Sequence, residues 1–143
     1  MGNKANRKIK NATSNVQNGI HFRSKLEAYA YKQLEEAGID SKYEEVKYVL
    51  QEGFHYEEPC YENTKSRGFI DNTYKVRAIT YTPDFVDPNG KWILEIKGWS
   101  NDVFPLKWKM FKRYLIDNDL PPVLLLPKNQ KQVREAIKII KTL

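Results

Sequence analysis

The sequence predicts a single α/β domain with the element order α-β-β-β-α-β-α. Three observations carry that prediction. Apolar residues recur at helical spacing in three stretches, each with its own start signal. Runs rich in β-branched and aromatic residues flank a "DPNG" turn, the pattern of an antiparallel hairpin. A further apolar run, "PVLLLP", shows no alternation and reads as a short strand covered on both faces. At 143 residues, 41% of them hydrophobic, the chain can build one proper core but not two.

The first helix is expected over Lys25 to Ala37. Ser24 is its N-cap, Glu27 stands where a capping box requires an acid, and Gly38 ends it. A strand follows from about Tyr43 to Leu50. Residues 51–70 carry Glu52, Glu57, Glu58 and Glu62 and read as an inserted loop or protruding hairpin. A long strand over Tyr74 to Val86 leads into Pro88, Asn89 and Gly90, which suit a turn-plus-bulge loop, and Lys91 to Lys97 returns. The second helix, Val103 to Ile116, tolerates Pro105 only in its first turn. Asn129 caps a final helix on which Val133, Ala136, Ile137 and Ile140 form one stripe.

A net charge of +6 favours a polyanionic partner, although solubility alone would account for a surplus of this size. Residues 1–19 form a flexible basic arm in which Lys4, Arg7, Lys8 and Lys10 either touch phosphates or are simply solvated. One cysteine and two histidines leave neither a disulfide framework nor a zinc ligand set. No run approaches a membrane span and the polar N-terminus is no secretory signal, so no membrane partner and a cytoplasmic location are expected.

The functional signal lies in polar residues placed where a hairpin should be apolar. On the returning strand Trp92, Leu94 and Ile96 share one face, while Ile93, Glu95 and Lys97 share the other. By itself that second face could be an exposed ion pair. Asp84 changes the balance, since it follows Pro83 in an otherwise apolar partner strand, where proline cannot donate to a ladder. A three-residue loop would pair Asp87 with Lys91 and turn Asp84 away from Glu95. A bulge near Pro83, or a four-residue loop, brings the two carboxylates together, and that irregularity is expected.

Glu27 falls within the arc of Leu26, Ala30, Tyr31, Leu34 and Ala37 on the first helix. Capping explains its distance from Ser24 but not its place on the inward stripe. Three converging carboxylates without histidine or cysteine suit a hard cation, Mg²⁺ with Mn²⁺ as a substitute. Lys97 beside them is informative, because metal storage has no use for an ammonium group. On the second helix Lys109, Lys112 and Arg113 occupy an outer arc that either tracks a DNA backbone or is solvated. Lys107 sits on the inner arc with Leu106, Met110, Phe111 and Tyr114, and either snorkels outward or, the favoured reading, points at the metal centre.

"PDF" and the later "EIK" resemble the PD-(D/E)XK motif of the restriction-endonuclease-like nuclease superfamily. "GIHFRSKLEAYAYKQLEEAG", "VRAITYTPDF" and "LEIKGW" are similar, more closely, to a phage and prophage family catalogued as a domain of unknown function. The resemblance runs from about Gly19 to Leu126. It implies an αβββαβ core with a mixed four-stranded central sheet, here with a C-terminal helix added. It also implies that Asp84 and Glu95 bind the metal with the Ile96 carbonyl, that Lys97 is catalytic, and that Glu27 matches an acid many members carry on the first helix. Relatives include junction-resolving enzymes, transposon end-cleaving subunits and restriction enzymes. The expected activity is a Mg²⁺-dependent endodeoxyribonuclease acting on branched or structured DNA, phage- or prophage-encoded, as a homodimer. Restriction-like or nicking nuclease subunits and a silent DNA-binding module are the alternatives. Lys107 and Phe111 stand where related exonucleases carry a Gln-x-x-x-Tyr pair, which weakens an exonuclease reading.

Overall fold

A computed structural model of the chain describes residues 16–72, 74–98, 103–119 and 122–143. Lys4, Arg7, Lys8 and Lys10 lie outside the described residues. The order of elements begins with a hairpin, β1 (Val16–Gln17) and β2 (Ile20–His21), followed by α1 (Lys25–Glu36). Residues 16–19, counted with the basic arm from sequence, thus contribute one strand and the turn of that hairpin. Gln17 Nε2 ties it down by donating to the Ala28 carbonyl at 3.0 Å.

Seven short strands come next: β3 (Lys42–Tyr43), β4 (Tyr48–Gln51), β5 (Phe54–His55), β6 (Tyr61–Thr64), β7 (Gly68–Asp71), β8 (Lys75–Val76) and β9 (Ile79–Tyr81). Then follow β10 (Phe85–Val86), β11 (Trp92–Leu94), α2 (Phe104–Asp117), β12 (Val123–Leu125) and α3 (Gln130–Ile140). Among the described residues the fold is mixed α/β, with three helices around a four-stranded mixed sheet in the order β12-β11-β10-β3. β11 and β12 run parallel, and β10 is antiparallel to both of its neighbours.

The sheet separates two apolar clusters because β10 and β11 alternate at period two. Phe85, Trp92, Leu94 and Ile96 pack against α1 and the stripe Val133, Ala136, Ile137 and Ile140 of α3. Val86 and Ile93 pack against Tyr81 and against Phe104, Phe111 and Leu115 of α2. Ser24 and Asn129 cap α1 and α3 as expected, accepting from the backbone N–H groups of Glu27 and Gln132. Leu106 departs from the expected inner arc and is exposed; Phe104, Trp108 and Leu115 take its place beside Phe111. β12 is covered on both faces as expected, Leu125 packing in the α1–α3 cluster and Leu124 in the α2 cluster, but it is an edge strand whose first residue, Val123, is exposed.

Two strands expected to be continuous are broken, and broken at the same level. Between β3 and β4, Glu44 adopts a left-handed conformation at φ 49°. Opposite it, Pro83 separates β9 from β10, since a proline offers no N–H to the ladder. β3 pairs with β10, whereas β4 pairs with β9, so the antiparallel pair leaves the sheet as a separate ribbon. β5–β8 and β6–β7 continue it to a tip, which resolves residues 51–70 as a hairpin rather than a loop.

The β10–β11 register is Phe85 to Leu94 and Val86 to Ile93, which leaves a four-residue loop, 88–91, rather than the three-residue one the turn residues suggested. The buried Asp87 carboxylate holds that loop, accepting the N–H of Asn89 at 3.1 Å and of Lys91 at 2.9 Å. Gly90 supplies the left-handed residue at φ 73°. Asp87→Ala should lower the unfolding free energy by about 2 kcal/mol, the cost of two orphaned amide donors in a half-buried turn. Urea denaturation measures it, and an unchanged midpoint would mean the loop closes without the carboxylate.

Candidate metal centre

Extending the register by one residue sets Asp84 directly opposite Glu95. Both are buried, at 8% and 4% exposure. Asp84 Oδ2 accepts the Ile96 N–H at 2.7 Å, and the Asp84 N–H lies 3.3 Å from Glu95 Oε2. Side chains have replaced the ladder here, which is why the regular part of β11 ends at Leu94. The parallel side of the strand continues, with Glu95 N–H on the Leu125 carbonyl and Lys97 N–H on that of Pro127.

Glu95 is held on three sides. Tyr81 donates its hydroxyl to Oε2 at 2.6 Å, and Lys97 Nζ stands 3.5 Å from Oε1. The Lys97 ammonium is fixed in turn over the Phe104 ring, 4.6 Å from its centroid. Glu27 comes from the first turn of α1, where the Ser24 hydroxyl bonds its Oε1 at 3.0 Å and the Tyr43 hydroxyl its Oε2 at 2.5 Å. Capping and convergence are therefore not alternatives for this residue: its N–H is capped while its carboxylate turns inward.

Among the described residues, one oxygen each from Glu27, Glu44 and Asp84 lies within 4.8 Å of the others, a spacing that could hold a metal ion. Glu44 has no counterpart among the residues expected from sequence, and Glu95, which was expected as a ligand, is not one of the three. Its signal in the sequence is faint, an acid in "YEEVK" within the strand expected from about Tyr43 to Leu50. The left-handed turn at Glu44, with its N–H on the Asp84 carbonyl at 2.9 Å, carries it to the kink. Arg23 Nε pairs with Glu44 at 3.0 Å, while Tyr43 and Tyr81 supply the hydroxyls; these three were also missed.

Glu27, Glu44, Asp84, Glu95, Ile96, Lys97 and Lys107 all line one cleft of about 370 Å³, at whose rim Arg23 also sits. Lys107 thus lines the cleft that holds the carboxylates. Lys109, Lys112 and Arg113 do not line it; they are exposed on α2, and Arg113 is 3.7 Å from Asp117.

Burial, with Glu95 close by, pushes the Asp84 carboxyl up to about 8. Burial also raises Glu95, against the opposing pull of Tyr81 and Lys97. Burial and Glu95 raise the Tyr81 hydroxyl, and burial and Glu27 raise that of Tyr43, so both phenols stay protonated donors. Like charges crowded in a desolvated pocket are costly unless a cation joins them. The donors are all hard oxygens, the set suited to Mg²⁺, Mn²⁺ or Ca²⁺ and not to a soft metal.

A family model described as "Protein of unknown function (DUF1064)" matches residues 7–124. The chain belongs to that family. The DUF1064 match spans α1, the kinked ribbon, the Asp84–Glu95 pair and α2, and it begins within the basic arm rather than at Gly19. No curated protein and no solved structure matches the chain. No helix among the described residues is long and apolar enough to cross a membrane.

The raised Asp84 carboxyl has a thermodynamic consequence with a definite sign. The folded state holds this proton more tightly than the unfolded state, so metal-free stability falls as pH rises from about 4 towards about 8. Asp84→Asn keeps an oxygen for the Ile96 amide and removes the charge. Its melting temperature should exceed that of the parent in chelator at about pH 9, and the gap should close as pH falls towards about 4. A gap independent of pH would show that Asp84 is not the group under strain.

Proposed function

We propose that this protein is a Mg²⁺-dependent endodeoxyribonuclease, built on a restriction-endonuclease-like core, that hydrolyses phosphodiester bonds in branched or otherwise structured DNA. One observation carries the reading: Asp84 and Glu95 stand opposite each other in a buried register, with the Lys97 ammonium 3.5 Å from Glu95 in the same cleft. A binding module gains nothing from buried like charges, and a storage site gains nothing from the lysine.

Asp84 and Glu95, with the Ile96 carbonyl and with Glu27 and Glu44 alongside, would hold the ion. When bound, the divalent cation lowers the pKa of water and polarises a phosphodiester oxygen. The chain's own residues do the rest. Tyr81 and Tyr43 hold Glu95 and Glu27 in place through their hydroxyls. Lys97, fixed by Glu95 and the Phe104 ring, positions the attacking water and offsets charge gathering on the phosphate. Lys107, in the lining of the same cleft, is placed to contact a neighbouring phosphate. A chain with one such cleft needs a second copy to cut both strands of a junction, so a homodimer is part of the proposal.

The test is incubation with four-way junction, duplex and single-stranded DNA, in Mg²⁺ and then in EDTA. Cutting is expected on the junction in Mg²⁺ alone. Binding without cutting in either Mg²⁺ or Mn²⁺ would leave a DNA-binding module as the better reading. Lys97→Ala should reduce cleavage about 100-fold or more, yet retain the rise in melting temperature that Mg²⁺ confers on the parent, because lysine is no ligand to a cation. Glu44→Gln should instead diminish that Mg²⁺-induced rise; an unchanged rise would place Glu44 outside the metal site.

A further inference from the structure

Beside the carboxylate cleft lies a second one of about 330 Å³, and the two share Lys97 and Phe104. Their linings differ in kind. The first gathers acids, whereas among the described residues the second is lined by Lys97, Lys109, Lys112 and Lys128 and by no carboxylate. Its floor is apolar and aromatic, with Trp108 and Phe104 at 5.5 Å between ring centroids. Trp108 is half-buried, braced from behind by Tyr81 and Phe111 at 6.2 and 6.1 Å. Lysines scattered over a solvated helix would not converge on an indole. Here two come from α2, one from the segment after β11, and one from the segment before α3.

We infer that this lysine-lined groove binds an unpaired nucleotide of the strand being cut, next to the scissile phosphate, with its base stacked on Trp108. The inference rests on the nuclease reading for the identity of the polymer and on the groove alone for the subsite. Its volume is at the small end of ligand clefts, room for one base rather than a base pair. Stacking on an indole suits any base, which matches recognition of DNA form rather than sequence. Lys109 and Lys128 neutralise the flanking phosphates. Lys112, 5.7 Å from the Trp108 centroid and so at the outer reach of a cation–π contact, gives up the ring for a phosphate as the base arrives. Because Lys97 and Phe104 border both clefts, a nucleotide seated here puts its adjoining phosphodiester at the carboxylates.

The experiment measures anisotropy of a labelled oligothymidylate about ten nucleotides long, in EDTA so that nothing is cut. The comparison ligands are a duplex and an abasic strand of equal length. The full-length parent should prefer the oligothymidylate to both. Trp108→Ala should weaken its binding about tenfold or more, with Trp108→Phe recovering most of the loss. Lys128→Ala, an exposed change that spares the core, should lower the slope of log K against log salt by about 0.7. Abasic and oligothymidylate strands bound equally well, or a Lys128→Ala slope equal to the parent's, would overturn the subsite. Mg²⁺-dependent cleavage, assayed on the same preparations, reports separately on the nuclease reading: cutting without a base preference removes only the subsite, and a base preference without cutting removes only the nuclease.

Discussion

The buried Asp87 carboxylate closes the loop after β10 over four residues, and everything at the site depends on that count. With Asp87 bonded to the amides of Asn89 and Lys91, Trp92 rather than Lys91 becomes its partner. Side chains alternate at period two, so a loop one residue shorter would send Asp84 and Glu95 to opposite faces of the sheet. The same register sends Phe85 and Leu94 into the α1–α3 core and Val86 and Ile93 into the α2 core. Packing and site geometry therefore enforce each other: a slipped hairpin would lose both cores along with the paired carboxylates.

The second structural device is the paired kink. A strand pair running on without interruption would bury its backbone polar groups in the ladder and leave no mouth for a cleft. Pro83 on one strand and the left-handed Glu44 on the other end the ladder together. The amides of Asp84 and Ile96 are taken up by carboxylates and that of Glu44 by the Asp84 carbonyl, which offsets the cost of ending the ladder there. Beyond the kink the ribbon contributes no buried residue among those described from 51 to 80. That outer part is held mainly by its own pairing, whereas the base of the ribbon packs on Phe111 of α2 through Tyr48 and Tyr81.

Buried acids with raised pKa values, set among aromatic residues, sit poorly with folding considered alone. Departures from local consistency of this kind gather where a protein works. The neighbouring groove differs in charge: the first cleft sets its acids among Arg23, Lys97 and Lys107, whereas among the described residues the second is lined by lysines and no acid, with Lys97 at the boundary. Phe104 serves both sides, fixing the ammonium with its face and flooring the groove beside Trp108.

Much was legible from residues alone, because it depended on local chemistry. The caps Ser24 and Asn129, the α3 stripe, the shared face of Glu95 and Lys97, and the anomaly of Asp84 after Pro83 are all carried by nearest neighbours and periodicity. The sequence could also narrow the hairpin to a bulge or a longer loop, since only those unite the carboxylates. Tertiary structure decided between them, because Asp87 acts as a loop acceptor only once the turn has formed. It also decided Glu44, carried to the cleft by a kink that no periodicity announces, along with Arg23 paired to it and the Tyr43 hydroxyl bonded to Glu27. Leu106 escaped for the same reason: burial belongs to whatever packs opposite, and that is not written in the segment itself.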